Sequence, residues 1–127
     1  MRRSRIKEKR LYPRIAQKIP LKVAADGYGF ITATKNVSCI GAYCHIKKYV
    51  PPFTKVKIRL TLPVAGTSRK VYHLDCKGVI VRSEDEKKGG FNIAIFFNEI
   101  NEAQRKTICK YVNQFLPNNP PKLQKRL

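Results

Sequence analysis

Val56-Lys57-Ile58-Arg59-Leu60-Thr61-Leu62-Pro63 is the cleanest strand in the chain. Val56, Ile58, Leu60 and Leu62 alternate with Lys57, Arg59 and Thr61, so one face is apolar and the other polar or charged. Successive side chains on a strand point to opposite faces, and this period of two predicts a half-buried strand with one wet face. Pro63 ends it, because proline donates no ladder hydrogen bond. Ala65-Gly66-Thr67 supplies a turn, and a long second strand returns over 71–81. Gly78 within that return marks a bulge or a close approach of another backbone.

The same alternation extends outward in both directions. Ile19, Leu21 and Val23 alternate with Pro20 and Lys22. Asp26-Gly27 is a hairpin turn signal, and Tyr28–Thr34 reads as the returning strand. Asn36-Val37-Ser38-Cys39-Ile40-Gly41 interrupts with turn chemistry, and Ala42–Ile46 forms a third strand. Pro51-Pro52 marks a surface loop. Downstream, Glu84 to Gly90 is a charged turn, and Phe91–Phe97 is a sixth strand apolar enough to be central. The period then changes. Ile108, Tyr111, Val112, Phe115 and Leu116 follow the three-four spacing of a helix, Asn101 can cap it with Gln104 completing a capping box, and Pro117 stops it.

Six closely spaced strands and one helix predict a mainly β fold, a six-stranded antiparallel β-barrel with the helix at an end or a side. Residues 1–17 form a flexible basic N-terminal arm, 18–116 the barrel with its C-terminal α-helix, and 117–127 a disordered tail. A short helix can form around Ser4–Lys9.

The chain has 127 residues, enough for one modest core. It holds 27 Lys and Arg against 8 acids, a formal charge of +19. That excess implies an anionic ligand or a general affinity for polyanions. The N-terminus lacks the apolar block of a secretory signal, and no run is long enough to span a membrane, so the chain is read as cytoplasmic. Cys39, Cys44, Cys76 and Cys109 show no CxxC spacing. They are expected as buried or partly buried thiols rather than as a disulfide framework or a metal site. No enzyme is expected, since neither His45 nor His73 is tied by any motif to a nucleophile or carboxylate, and no phosphate loop is present.

The chemistry sits in two segments. Arg10-Leu11-Tyr12-Pro13-Arg14 places two guanidiniums four residues apart, with Pro13 disfavouring a helix through them. Each planar fork matches a phosphate or the O6/N7 edge of a guanine with two hydrogen bonds. Asn36 and Ser38, two apart, project to the same side if extended, while Val37 points to the core. Gly41 lets a backbone or a ligand come close. Either segment alone is common in basic arms and ordinary turns. One just before the first strand and the other after the second is not.

Together RLYPR at 10–14 and NVSCIG at 36–41 resemble the RxxxR and [D/N]xSxxG signature of the PilZ domain family. The resemblance spans about residues 7–116 and includes Ile19-Pro20-Leu21, VIVR at 79–82 and FNIAIFF at 91–97. One departure is the loop Lys47–Pro52, which lacks an expected glycine. The resemblance implies a stand-alone bacterial receptor for the second messenger cyclic di-GMP. Arg10 and Arg14 would contact guanine edges and phosphates, Asn36 and Ser38 would hydrogen-bond the ligand, and Gly41 would keep the turn open. Lys9 would add charge more weakly. No cofactor is implied beyond this ligand, and the partner is a protein effector. The alternative is a small basic β-barrel that binds RNA or DNA. It accounts for the charge but gives no reason for Asn36, Ser38 and Gly41, and no cluster of exposed aromatics stands ready to stack bases. A third reading is an adaptor of the same fold without ligand binding.

Overall fold

The computed structural model describes residues 12–63 and 70–116. Six antiparallel strands, β1 (Pro20–Ala25), β2 (Tyr28–Val37), β3 (Gly41–Ile46), β4 (Lys55–Pro63), β5 (Val71–Asp85) and β6 (Phe91–Glu99), precede one helix, α1 (Glu102–Asn113). The strands close into a barrel in the order β1-β2-β3-β6-β5-β4, with β1 pairing β4 to complete it. Closure leaves no sheet edge.

The alternation in β4 sets the inside and the outside of the barrel. Val56, Ile58, Leu60 and Leu62 are buried, and Lys57 and Arg59 are exposed. Across the ladder Leu21 faces Leu60, and Leu60 faces Leu74, so each buried position meets another. The core is almost wholly aliphatic, with Phe97 the one buried phenylalanine among the described residues. Asp26 and Gly27 make a two-residue hairpin in which Gly27 takes φ +85°, a conformation costly to a side chain. Gly78 sits at a register shift between β5 and β6, and a Cβ there would lie 2.7 Å from the Ile58 side chain.

Three boundaries differ from the sequence reading. β2 runs on through Asn36 and Val37, because both pair with β3 across a bulge after Thr34. β5 continues through Glu84 and Asp85, since Ser83, Glu84 and Asp85 pair with Ile93, Asn92 and Phe91 while the two acidic residues stay exposed. The described part of the expected arm is attached to the barrel. Ile15, buried, exchanges two backbone hydrogen bonds with Val37 at 2.9 and 3.0 Å. The buried Thr34 hydroxyl accepts from the Ile19 N–H at 2.9 Å and donates to the Gln17 carbonyl at 2.5 Å. The loop that lacks the expected glycine still needs one left-handed residue, and Phe53 supplies it at φ +73° with its ring exposed.

α1 begins with the expected capping box. Asn101 accepts from the Gln104 N–H at 2.8 Å, and the Gln104 side chain accepts from the Asn101 N–H at 3.1 Å. Ile108, Tyr111 and Val112 are its buried stripe and join the barrel core. Gln104 also donates to the Asp75 carbonyl of β5. Among the described residues no helix is long and apolar enough to cross a membrane.

Candidate functional site

The two motifs meet where β2 turns into β3. Arg14, Asn36, Ser38 and Gly41 line one surface cavity of about 400 Å³, together with Tyr12, Ile40, Tyr43 and Phe96. Arg10 and Lys9 lie outside the described residues. Arg14 is exposed and is carried to the cavity by the Ile15–Val37 bridge that follows it. Val37 is fully buried, which turns Asn36 to the outside of the barrel. Asn36 Oδ1 is itself buried and finds no hydrogen-bond partner among the described residues. Such an acceptor is uncommon, because removing a polar group from water without a partner costs about 1–3 kcal/mol.

Ser38 shapes the turn. Its N–H donates to the Gly41 carbonyl at 2.9 Å, and its Oγ accepts from the Ile40 N–H at 3.2 Å. The hydroxyl proton is left for another acceptor. At Gly41 the close approach comes from protein backbone: a Cβ there would run into the Ile95 carbonyl of β6. The glycine lets β3 press against β6 directly beneath the cavity.

Register adds residues that the motifs do not contain. Asn36 stands opposite Tyr43, Tyr43 opposite Ala94, and Ala94 opposite Arg82. This row crosses four strands on the outer face, and the small Ala94 leaves a trough between Tyr43 and Arg82. A register shift between Ile80 and Arg82 turns Val81 and Arg82 outward together. The Arg82 guanidinium lies 5.8 Å from the Tyr43 ring centre and the Lys35 ammonium 6.0 Å from it. Both cations have acidic neighbours, Glu84 at 3.5 Å from Arg82 and Glu86 at 3.4 Å from Lys35. Burial raises the Tyr43 phenol above its ordinary range, with a further push from its hydrogen bond to Glu84, so the ring stays neutral. Tyr43 was detectable only by counting the register of the β2–β3 pair. Arg82 lies in VIVR, but alternation alone puts it on the face opposite to Val81.

The sequence model of the PilZ domain matches residues 8–114. The chain belongs to the PilZ domain family. No curated protein matches it. Among solved structures, the Bacillus subtilis inhibitor of motility (MotI/DgrA) is similar with a TM-score of 0.72 and 14% identity, over 84% of this chain and 50% of that one. The chain thus spans half the length of that protein. The PilZ domain of YcgR from Escherichia coli, solved with c-di-GMP, is similar with a TM-score of 0.58 and 13% identity, over 94% of this chain and 100% of that one. At these identities the likeness concerns the fold of the PilZ barrel and its helix.

A larger cavity, about 910 Å³, lies elsewhere, with Lys22, Phe30, Ile31, Lys57 and Arg59 in its wall. No motif residue lines it, and Arg59 there is committed to Asp75 at 2.8 Å. The smaller cavity is the better candidate, because it gathers the motif residues and the unpaired Asn36 acceptor. The cysteines differ from expectation. Cys39, inside the second motif, is paired with Cys109 of α1 as a disulfide with Cα atoms 4.8 Å apart. Spatial neighbours separated by 70 residues leave no spacing signal in the sequence. Cys44 and Cys76 are free buried thiols.

Proposed function

We propose that this PilZ protein is a receptor for cyclic di-GMP, held between the Arg10–Arg14 segment and the outer surface carrying Asn36, Ser38 and Gly41. The observation that carries the reading is the convergence of Arg14, Asn36 and Ser38 on one cavity with Asn36 Oδ1 buried and unpaired. A guanine offers N–H donors to that oxygen. Its O6 and N7 accept a guanidinium fork from Arg10 or Arg14, and a second fork stacks on a base or takes a phosphate. The Ser38 hydroxyl donates the remaining bond. Tyr43 lines the cavity, where a base can stack, and Arg82 beside its ring can add charge. The c-di-GMP held by the similar PilZ domain of YcgR supports this choice of ligand.

The ligand works by ordering. Fixing backbone costs about 1–2 kcal/mol per residue. Several charge-assisted bonds at about 1.5–3 kcal/mol each offset that cost for a short segment. Binding would fold the residues around Arg10 over the cavity while Ile15 holds their far end on β2. The altered surface is then read by an effector protein in the bacterial cytoplasm.

Titration calorimetry with cyclic di-GMP, run at two salt concentrations and repeated with an RNA and a single-stranded DNA oligonucleotide, tests the reading. A two-phosphate ligand gives a shallow salt dependence and a polymer a steep one. Saturable, one-site heat from cyclic di-GMP with a shallow slope is expected. Heat from the oligonucleotides alone, falling steeply with salt, would establish the nucleic-acid reading instead.

A further inference from the structure

We propose that Cys39 and Cys109 are a reversible thiol–disulfide couple through which redox state sets the order of the ligand site. Its effect on ligand affinity rests on the cyclic di-GMP reading. Cys39 lies within the turn that presents Ser38, and Cys109 lies on α1. Arg105 stands four residues before Cys109, so the two share one helix face. The Arg105 guanidinium donates to the Tyr12 hydroxyl at 3.1 Å and lies 5.7 Å from the Tyr12 ring centre. Tyr12 sits between Arg10 and Arg14. One face of α1 therefore grips both halves of the site, the arginine segment through Arg105 and the Asn36–Gly41 turn through Cys109. The covalent tether holds that face in place, and its loss frees the turn and weakens the grip on Tyr12.

The exchange partner is a low-molecular-weight disulfide such as oxidised glutathione. Cys39 is buried and Cys109 only half-buried, so Cys109 is the sulfur within reach. Its thiolate attacks one sulfur of the small disulfide and expels a thiolate. The Cys39 thiolate then attacks the Cys109 sulfur of the mixed disulfide and expels the second. The protein gives up two electrons and two protons, and the small disulfide takes both to become two thiols. Intracellular disulfides of this kind are usually transient and redox-sensing.

The full chain equilibrated with oxidised or with reduced glutathione supplies the test. Crosslinking is read by mass spectrometry of non-reduced peptides, and order by amide exchange over residues 12–17 and 36–41 without ligand. Affinity is read by calorimetry with cyclic di-GMP. We expect the Cys39–Cys109 peptide pair only under oxidation. On reduction, exchange in both segments should speed about tenfold, and cyclic di-GMP affinity should fall about tenfold. C109S and C39S should each show the reduced behaviour in either buffer. No crosslinked pair under oxidation, or equal exchange in the two buffers, overturns the proposal. Differing exchange with no cyclic di-GMP heat in either buffer upholds the couple and overturns the ligand reading. Equal affinity in both buffers despite differing exchange overturns the coupling.

Discussion

Asn36 meets two opposed demands. Its buried oxygen, unpaired among the described residues, costs stability in the free protein and, on the proposed function, supplies an acceptor to the ligand. Asn36→Val keeps a strand-forming residue and removes the orphan, so chemical denaturation should show stability unchanged or raised by about 1 kcal/mol. The same variant should lose cyclic di-GMP affinity; a large stability loss would instead make Asn36 a structural residue. Thr34 is the opposite case, a buried hydroxyl with both bonds made. Thr34→Val leaves the Ile19 N–H and the Gln17 carbonyl unpaired in part, and about 1–3 kcal/mol should go. Cys44 makes a third residue-scale prediction. Burial pushes its thiol from 9.0 up to about 12. A raised folded pKa stabilises fully below the unfolded value and is lost as pH rises, because the unfolded thiol ionises first. Between pH 9 and 12 the unfolding free energy from denaturant titration should therefore fall, by up to about 1.4 kcal/mol per pH unit from this thiol, and Cys44→Ala should remove that part of the slope.

At the scale of elements, α1 is the piece that joins the two motifs. Its capping box is exposed to water, so Asn101→Ala should cost about 1 kcal/mol in a thermal or urea melt. The Cys39–Cys109 pair closes 70 residues of chain, and a loop of that size contributes at most about 4 kcal/mol by chain-entropy reasoning. Reductant should therefore lower the midpoint of the wild type and leave Cys109→Ser unmoved. Much of this level was legible from sequence. Val56 to Leu62 alternated without a break, and the structure buries those same four apolar positions. Asn101 and Gln104 capped the helix as their spacing indicated. The misses share one cause, pairing in space. Charged Glu84 and Asp85 look like a turn until β6 is laid beside them, and Asn36 looks like a turn residue until its pairing with Tyr43 extends β2. Arg82 reached the outer row only through a bulge that no local residue preference announces. Cys39 and Cys109 show no relation until α1 is docked.

The whole molecule is a closed PilZ barrel with a strongly positive charge, and the two properties have separate roles. Closure fixes Asn36, Gly41 and Tyr43 on adjoining strands by register, and the turn between β2 and β3 adds Ser38 and Ile40 to the same cavity. The net +19 raises the arrival rate of any anion and selects none. The fold could be read from sequence, and the family signature pointed to the candidate site. The neighbours Tyr12, Tyr43 and Arg82 needed the barrel. On the proposed function, selectivity comes from the arginine forks and the Asn36 surface, and Arg3 and Arg5 should contribute only a general, salt-screened attraction. Calorimetry of cyclic di-GMP binding to Arg10→Ala, Arg14→Ala, Arg3→Ala and Arg5→Ala separates the two most directly. A loss of about 10- to 100-fold is expected for Arg10→Ala and for Arg14→Ala, with Arg3→Ala and Arg5→Ala close to wild type. Equal losses at all four positions, or no binding by the wild type, would contradict the proposed function.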